Sequence, residues 1–297
     1  MGGETRTYGD GSTAVGALPG PLVSTDWLAA RLGAPGLLVL DASVGAHRGS
    51  GRRIEGARIF DIDGALSDHT VPVPHTMPDA ARFTEEMRAL CLNDADTVVV
   101  YDAAGIYSSA RAWWMLRAMG FDRAAVLDGG LPAWTAAGLP VTEQAPEPAA
   151  GRGDFTARPR PGLLVGAAEV AEALADPEAA VLDARTRGRF EGTEPEPRAG
   201  LRGGHMPGAV SLPFGRLQDE GRMRAPEELR AAFAGAAGDR GRLYFSCGSG
   251  VTACVLALGA ELAGYRDLTV YDGSWSEWGL PSADPADRPV ATGPAPG

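Results

Sequence analysis

The chain has 297 residues, of which 44% are apolar and 22% charged, with a formal net charge of -11. That length fits two globular domains of similar size. The acidic balance, unrelieved by any dense Lys/Arg run, excludes nucleic acid as the expected partner, and no apolar run approaches the roughly 20 residues of a membrane helix, so no membrane partner is expected either.

Residues 1–20 are rich in Gly and Thr and lack a basic stretch leading into an apolar core, so a flexible arm is expected there and not a secretory signal. The aliphatic run Leu37 to Leu40, ending in Asp41-Ala42-Ser43, predicts a strand. So does Thr97 to Tyr101, which precedes Asp102, a glycine-containing turn and an apolar helix through Trp113 and Trp114. Val126-Leu127-Asp128-Gly129-Gly130 then leads to Trp134. Residues 140–161 hold five prolines among Glu, Ala, Gly and Arg, a composition that predicts an extended, semi-rigid linker.

The second half repeats this series. Ala167 to Ala175 reads as a helix, and Ala179 to Leu182 ends in Asp183-Ala184-Arg185, at an offset of 142 from its first-half counterpart. The helix-like stretch Glu227 to Ala234 follows. Leu243 to Ser246 then reads as a strand ahead of Cys247 and the apolar helical stretch Ala253 to Leu262. Val270-Tyr271-Asp272-Gly273-Ser274, with Trp275 and Trp278, answers the Val126 segment at an offset of 144. Matches in one order at nearly one offset point to duplication of a domain. The expected fold class is α/β, with two tandem domains over residues 21–139 and 162–283, each a parallel β-sheet flanked by helices, and a flexible tail over 284–297. Such sheets bind ligands beyond the carboxyl ends of their strands, and Cys247 lies at one such end.

Three cysteines, Cys91, Cys247 and Cys254, do not make a disulfide framework and fit a reducing cytoplasm. Cys247 and Cys254 are seven apart and the histidines His47, His69, His75 and His205 show no paired spacing, so no metal and no cofactor are expected. Cys247 opens the turn Cys247-Gly248-Ser249-Gly250-Val251-Thr252 between a strand and a helix. Its glycines allow the backbone to curl so that N–H groups converge on the sulfur, and the helix N-terminus adds positive potential. Both favour a thiolate, and the same cradle suits an anionic persulfide. The bland alternative is an ordinary buried core cysteine, which is the reading for Cys254, two turns into an apolar helix.

The Cys-Gly-Ser-Gly-Val-Thr-Ala run at 247 to 253 resembles the active loop of the 3-mercaptopyruvate sulfurtransferases, a branch of the rhodanese superfamily. The likeness extends to the duplicated domains, the linker and Asp-Gly-Ser-Trp-Ser-Glu-Trp at 272 to 278. It implies two rhodanese-like domains of which only the second is catalytic, and the corresponding first-half turn, Asp102 to Tyr107, contains no cysteine. Thiosulfate-type rhodaneses carry Arg-Lys after the cysteine, whereas Gly248 and Ser249 stand here, which favours mercaptopyruvate as the donor. The resemblance assigns Ser249 as a hydroxyl relaying a proton, and Gly188 to Arg198 as the segment supplying Arg189 and Arg198 to clamp a keto-acid carboxylate. Without it, both arginines read as surface residues and Ser249 as a turn serine. Asp63 and His75 fall where the family has a first-domain Asp and His facing the cleft, implying a Ser249–His75–Asp63 relay. Alone, they read as a surface carboxylate and a solvated loop histidine.

His205, in a rhodanese-wide turn segment, reads as structural. The first-domain copy of that turn, Arg53 to Ala57, lacks its histidine and proline, so altered local geometry is expected there.

The activity implied is transfer of sulfur from 3-mercaptopyruvate through a Cys247 persulfide to a small thiol, thioredoxin or cyanide. The alternatives are a thiosulfate:cyanide sulfurtransferase and a non-catalytic persulfide carrier. A carrier has no need of a keto-acid clamp. The rhodanese-like phosphatases require an arginine six residues after the cysteine, where this chain has Ala253.

Overall fold

The computed structural model describes residues 15–144 and 151–294. Ten strands build two sheets. In the first half these are β1 (Leu22–Val23), β2 (Leu37–Asp41), β3 (Arg58–Ile59), β4 (Thr97–Tyr101) and β5 (Ala124–Leu127). In the second they are β6 (Leu164–Val165), β7 (Ala179–Asp183), β8 (Val210–Ser211), β9 (Arg242–Ser246) and β10 (Asp267–Tyr271). The strand orders are β1-β5-β4-β2-β3 and β6-β10-β9-β7-β8, the same topology twice, with every neighbouring pair parallel. The central strands β4, β5 and β7 are buried along their whole length, as a parallel sheet covered on both faces requires.

Three helices matter most for the site: α1 (Ser109–Ala118), α2 (Arg187–Glu191) and α3 (Ala253–Ala263). α1 and α3 follow the corresponding strands β4 and β9 and pack against each other. Both are buried almost all round, because each faces its own sheet on one side and the other domain on the opposite side. One hydrophobic cluster therefore runs through both domains, joining Trp114 and Met115 to Cys254 and Leu258. Each fully buried aliphatic side chain such as Leu258 contributes about 1.5–3 kcal/mol. Polar ties cross the same boundary: Trp114 Nε1 donates to the Leu163 carbonyl at 3.0 Å, Gln218 Nε2 donates to the Ile106 carbonyl at 2.6 Å, and Arg117 pairs with Glu261.

Several segments are more tightly held than their composition implies. Of the expected flexible arm 1–20, residues 1–14 lie outside the described residues, but Val15 is buried and its carbonyl accepts from Arg31 Nε at 2.9 Å. Of the linker 140–161, residues 145–150 lie outside. The remainder is extended as expected, yet it lies along the first domain, with Phe155 fully buried between Phe83 and Phe121 and its N–H donating to the Leu92 carbonyl at 3.1 Å. The expected flexible tail 284–297, outside the description over 295–297, is clasped to the second domain. Ala291 and His205 exchange backbone hydrogen bonds of 2.9 Å, and the Pro289 carbonyl accepts from Trp278 Nε1 at 2.9 Å. Composition averages over a segment, whereas one buried aromatic or one paired residue is enough to dock it.

The turn Arg53 to Ala57 also corrects an expectation. It closes with the Ala57 N–H on the Ile54 carbonyl at 3.1 Å, as its second-domain copy closes with Ala209 on Met206 at 2.9 Å. Gly56 (φ 75°) and Gly208 (φ 90°) take the same left-handed conformation. The missing histidine and proline leave that geometry intact because the glycine carries the turn.

Candidate active site

Cys247 leaves β9 at its carboxyl end, 1% exposed, and its loop runs directly into α3. Its N–H donates to Ser274 Oγ at 3.0 Å, and that hydroxyl donates to the Tyr271 carbonyl at 2.8 Å. The carbonyls of Cys247 and Gly248 accept from the N–H groups of Trp275 (2.9 Å) and Ser276 (2.8 Å). The loop is thus held through its carbonyls. Its own N–H groups from Gly248 to Thr252 donate to no acceptor among the described residues, although Ser249, Val251 and Thr252 are buried. Buried N–H groups are nearly always paired, and a run of converging ones forms an anion nest. At Gly250 (φ 74°) a side chain would lie 2.6 Å from the Asp272 carbonyl, so the curl needs glycine.

The structure brings first-domain residues to this loop. Ser249 Oγ lies 2.9 Å from His75 Nδ1, and His75 Nε2 lies 3.2 Å from Asp63 Oδ1. Asp63 is held from behind by the Gly45 N–H at 2.7 Å and by Arg48 at 3.6 Å. With Nε2–H donating to the carboxylate, Nδ1 is left as the acceptor for the serine hydroxyl. Burial, reinforced by the charge of Arg198, holds the His75 pKa below the ordinary imidazole value, against an opposing pull from Asp63. Both favour the neutral ring, the form able to take a proton.

Both arginines reach the same loop. α2 carries Arg189, whose NH2 pairs with Glu196 at 2.6 Å and lies 3.0 Å from where a side chain on Gly248 would begin. A larger residue at 248 would press on that guanidinium. Arg198 NH1 donates to Ser276 Oγ at 3.2 Å, and Ser276 Oγ donates to the Gly248 carbonyl at 2.6 Å. Cys247, Ser249, His75, Asp63, Arg189 and Arg198, more than 170 residues apart at the extremes, therefore converge on one loop. Among the described residues no group of three or more His, Cys, Asp or Glu is placed to hold a metal ion.

Other side chains sort by their contacts. Burial pushes the Cys254 thiol up to about 12, and it donates to the Gly250 carbonyl at 3.3 Å, a packing role. His205 stacks on Phe190 with centroids 3.9 Å apart and is 2% exposed, a structural role. Trp275 and Trp278 are buried in the second-domain core. Sequence reasoning missed Glu196, which bridges Arg185 and Arg189, and Tyr107, whose hydroxyl pKa is raised by burial and by the adjacent Cys247 sulfur. It also missed Arg111, the one charged residue in the first turn of α1, fully buried against Asp272. A charged residue in the first turn of a mostly apolar stretch was the available signal.

The sequence profile of the Rhodanese-like domain matches residues 24–137 and 166–280. The chain belongs to the rhodanese family of sulfurtransferases. It is 42% identical over 273 residues to 3-mercaptopyruvate sulfurtransferase of Homo sapiens, covering 86% of this chain and 91% of the relative. It is also 40% identical over 275 residues to thiosulfate sulfurtransferase of Cricetulus griseus, with coverage of 86% and 91%. The crystal structure of SseA from Escherichia coli, a 3-mercaptopyruvate sulfotransferase, superposes with a TM-score of 0.77 at 36% identity, covering 86% of this chain and 99% of that one. Overall identity is therefore similar to relatives named for either donor, and the choice between donors falls to the site.

Proposed function

We propose that this rhodanese moves sulfur from 3-mercaptopyruvate through a persulfide on Cys247 to a thiol or to cyanide. The Ser249–His75–Asp63 chain at 2.9 and 3.2 Å carries the reading, because the two donors make different demands on protons. When a thiolate takes sulfur from thiosulfate, the S–S bond breaks to release sulfite and no proton need move. With 3-mercaptopyruvate, Cys247 S⁻ attacks the thiol sulfur and the C–S bonding pair stays on carbon as the enolate of pyruvate. The proton leaves the sulfur and ends on that carbon, giving pyruvate and Cys247–S–S⁻. A hydroxyl backed by a neutral histidine is suited to that transfer. The open N–H nest of residues 248 to 252 suits the anionic persulfide, and Arg189 and Arg198 suit a carboxylate beside a ketone.

A second thiolate then attacks the outer sulfur and releases Cys247 S⁻. Thioredoxin or a small thiol is the acceptor class we infer, in a reducing cytoplasm that suits three free cysteines. Among the described residues no helix is long and apolar enough to cross a membrane.

The test is side-by-side turnover of 3-mercaptopyruvate and thiosulfate by wild type, Ser249→Ala and Cys247→Ser. The expected result is faster use of mercaptopyruvate, lost in Cys247→Ser, with Ser249→Ala impairing mercaptopyruvate more than thiosulfate. Faster thiosulfate turnover, indifferent to Ser249, would make thiosulfate the donor.

A further inference from the structure

The site holds a buried charge from the first domain that the chemistry above does not use. Arg111, at the start of α1, is fully buried, and its NH2 donates both to Asp272 Oδ1 at 2.6 Å and to the His75 carbonyl at 2.8 Å. The other Asp272 oxygen accepts the Met77 N–H at 2.8 Å. One ion pair thus grips the chain on both sides of Thr76. His75 sits at φ 61°, a left-handed conformation uncommon among non-glycine residues.

The same pair supports the cysteine loop. A side chain at Gly250 would begin 3.3 Å from Arg111 NH1 and 2.6 Å from the Asp272 carbonyl. NH1 and Nε of Arg111 meet no oxygen or nitrogen acceptor among the described residues, and the guanidinium interacts with the Cys254 thiol. A guanidinium buried in this way is retained at a cost in solvation that its pairing with Asp272 offsets. Its position, touching the His75 peptide on one side and lying under the loop that carries Ser249 on the other, is what it provides.

We propose that Arg111 and Asp272 are positioning residues that set His75 against Ser249 across the domain boundary. The inference rests on the reading of His75 as the partner that exchanges a proton with Ser249. Arg111 acts through His75, and its hydrogen bonds go to the His75 carbonyl and Asp272. Three charges act on that imidazole: Asp63 raises its pKa, while Arg198 and Arg111 lower it.

The experiment compares Arg111→Met, Arg111→Lys and Asp272→Asn with wild type, each with and without His75→Asn, recording kcat, KM for 3-mercaptopyruvate and the pH profile. Arg111→Met should lower kcat by roughly 10- to 100-fold with KM changed by less than about threefold, as expected when positioning and not binding is lost. The acid limb of its profile should move to higher pH, because removing the cation raises the His75 pKa. Arg111→Lys, which keeps the charge and one donor, should recover part of the loss. In the His75→Asn background the same changes should cost little more, since residues acting as a unit are not additive. Full multiplicative loss in that background, or an unshifted acid limb, would overturn the positioning role. Wild-type turnover in His75→Asn itself would instead overturn the relay. If Arg111→Met does not fold, Arg111→Lys and Asp272→Asn decide the question by the same criteria.

Discussion

The loop after β4 and the loop after β9 occupy equivalent places in the two domains and resolve one electrostatic problem in opposite ways. Tyr101 and Ser246 end the strands, and their carbonyls accept from Ala42 and Ala184 at 2.8 Å in each case. Asp102 therefore stands where Cys247 stands. Its carbonyl accepts from Leu131 at 2.9 Å, as that of Cys247 accepts from Trp275. In the first domain the Asp102 carboxylate turns inward and takes the N–H groups of Ala104, Tyr107, Ser108 and Ser109 at 2.8 to 3.0 Å. The nest is filled by its own side chain. In the second domain the N–H groups of Gly248 to Thr252 have no internal acceptor among the described residues, and the residue at the head of the loop is a cysteine. The same backbone device is a fastener in one copy and, in the function proposed, a holder for a transient anion in the other.

That contrast can be broken most severely by exchanging the chemistry. Cys247→Asp should abolish sulfur transfer, by on the order of 10³-fold or more, because the nucleophile is gone. The new carboxylate should occupy the nest, so that thermal stability is kept or raised, and a melting curve beside the rate assay checks both.

The next effect in size concerns what the first domain sends across. His75→Asn should lower 3-mercaptopyruvate turnover by about 100-fold, in the range of general acid–base assistance, and thiosulfate turnover much less. Since burial keeps the folded His75 pKa below the ordinary 6.5, wild-type activity should rise with pH through a midpoint under that value and level off above it. Asp63 pulls the pKa up, so Asp63→Asn should move the midpoint further down; a pH series of kcat reads both.

Smaller again is the effect expected of the proposed clamp. Arg198→Lys keeps charge but loses the planar fork, and should cost about 10-fold in kcat/KM for 3-mercaptopyruvate, the equivalent of about 1.4 kcal/mol. Initial-rate kinetics with both donors separates this from a general loss. Least effect on turnover is expected from the other loop. Asp102→Ala should leave persulfide chemistry nearly unchanged while costing about 3 kcal/mol or more of stability, because it strands several buried N–H groups; denaturant midpoints measure this.

How much of this was legible in the sequence follows from how local each feature is. The duplication, the parallel sheets and the cysteine loop depend on runs of a few residues and on glycines, and they could be read directly. Asp63, His75, Arg189 and Arg198 carry no local signature and were visible only through resemblance to a family. Arg111 and Asp272, 161 residues apart, meet only because the first turn of α1 packs against the turn after β10 across a domain boundary, and nothing in either neighbourhood announces the other. The role of Asp102 was hidden differently. Its first-half turn was noted for lacking a cysteine, but that a carboxylate fills the nest depends on a side-chain rotamer. The docking of the linker and tail was not legible because composition describes a segment's average, whereas Phe155 and Ala291 dock it individually.

The most direct test of the account is intact-mass and peptide mass spectrometry of the protein after exposure to 3-mercaptopyruvate without an acceptor. The predicted result is a gain of about 32 Da, one sulfur atom, on the peptide containing Cys247 and removed by added thiol, as a covalent intermediate requires. No gain, or a gain on Cys91 or Cys254 with Cys247 unmodified, would contradict it.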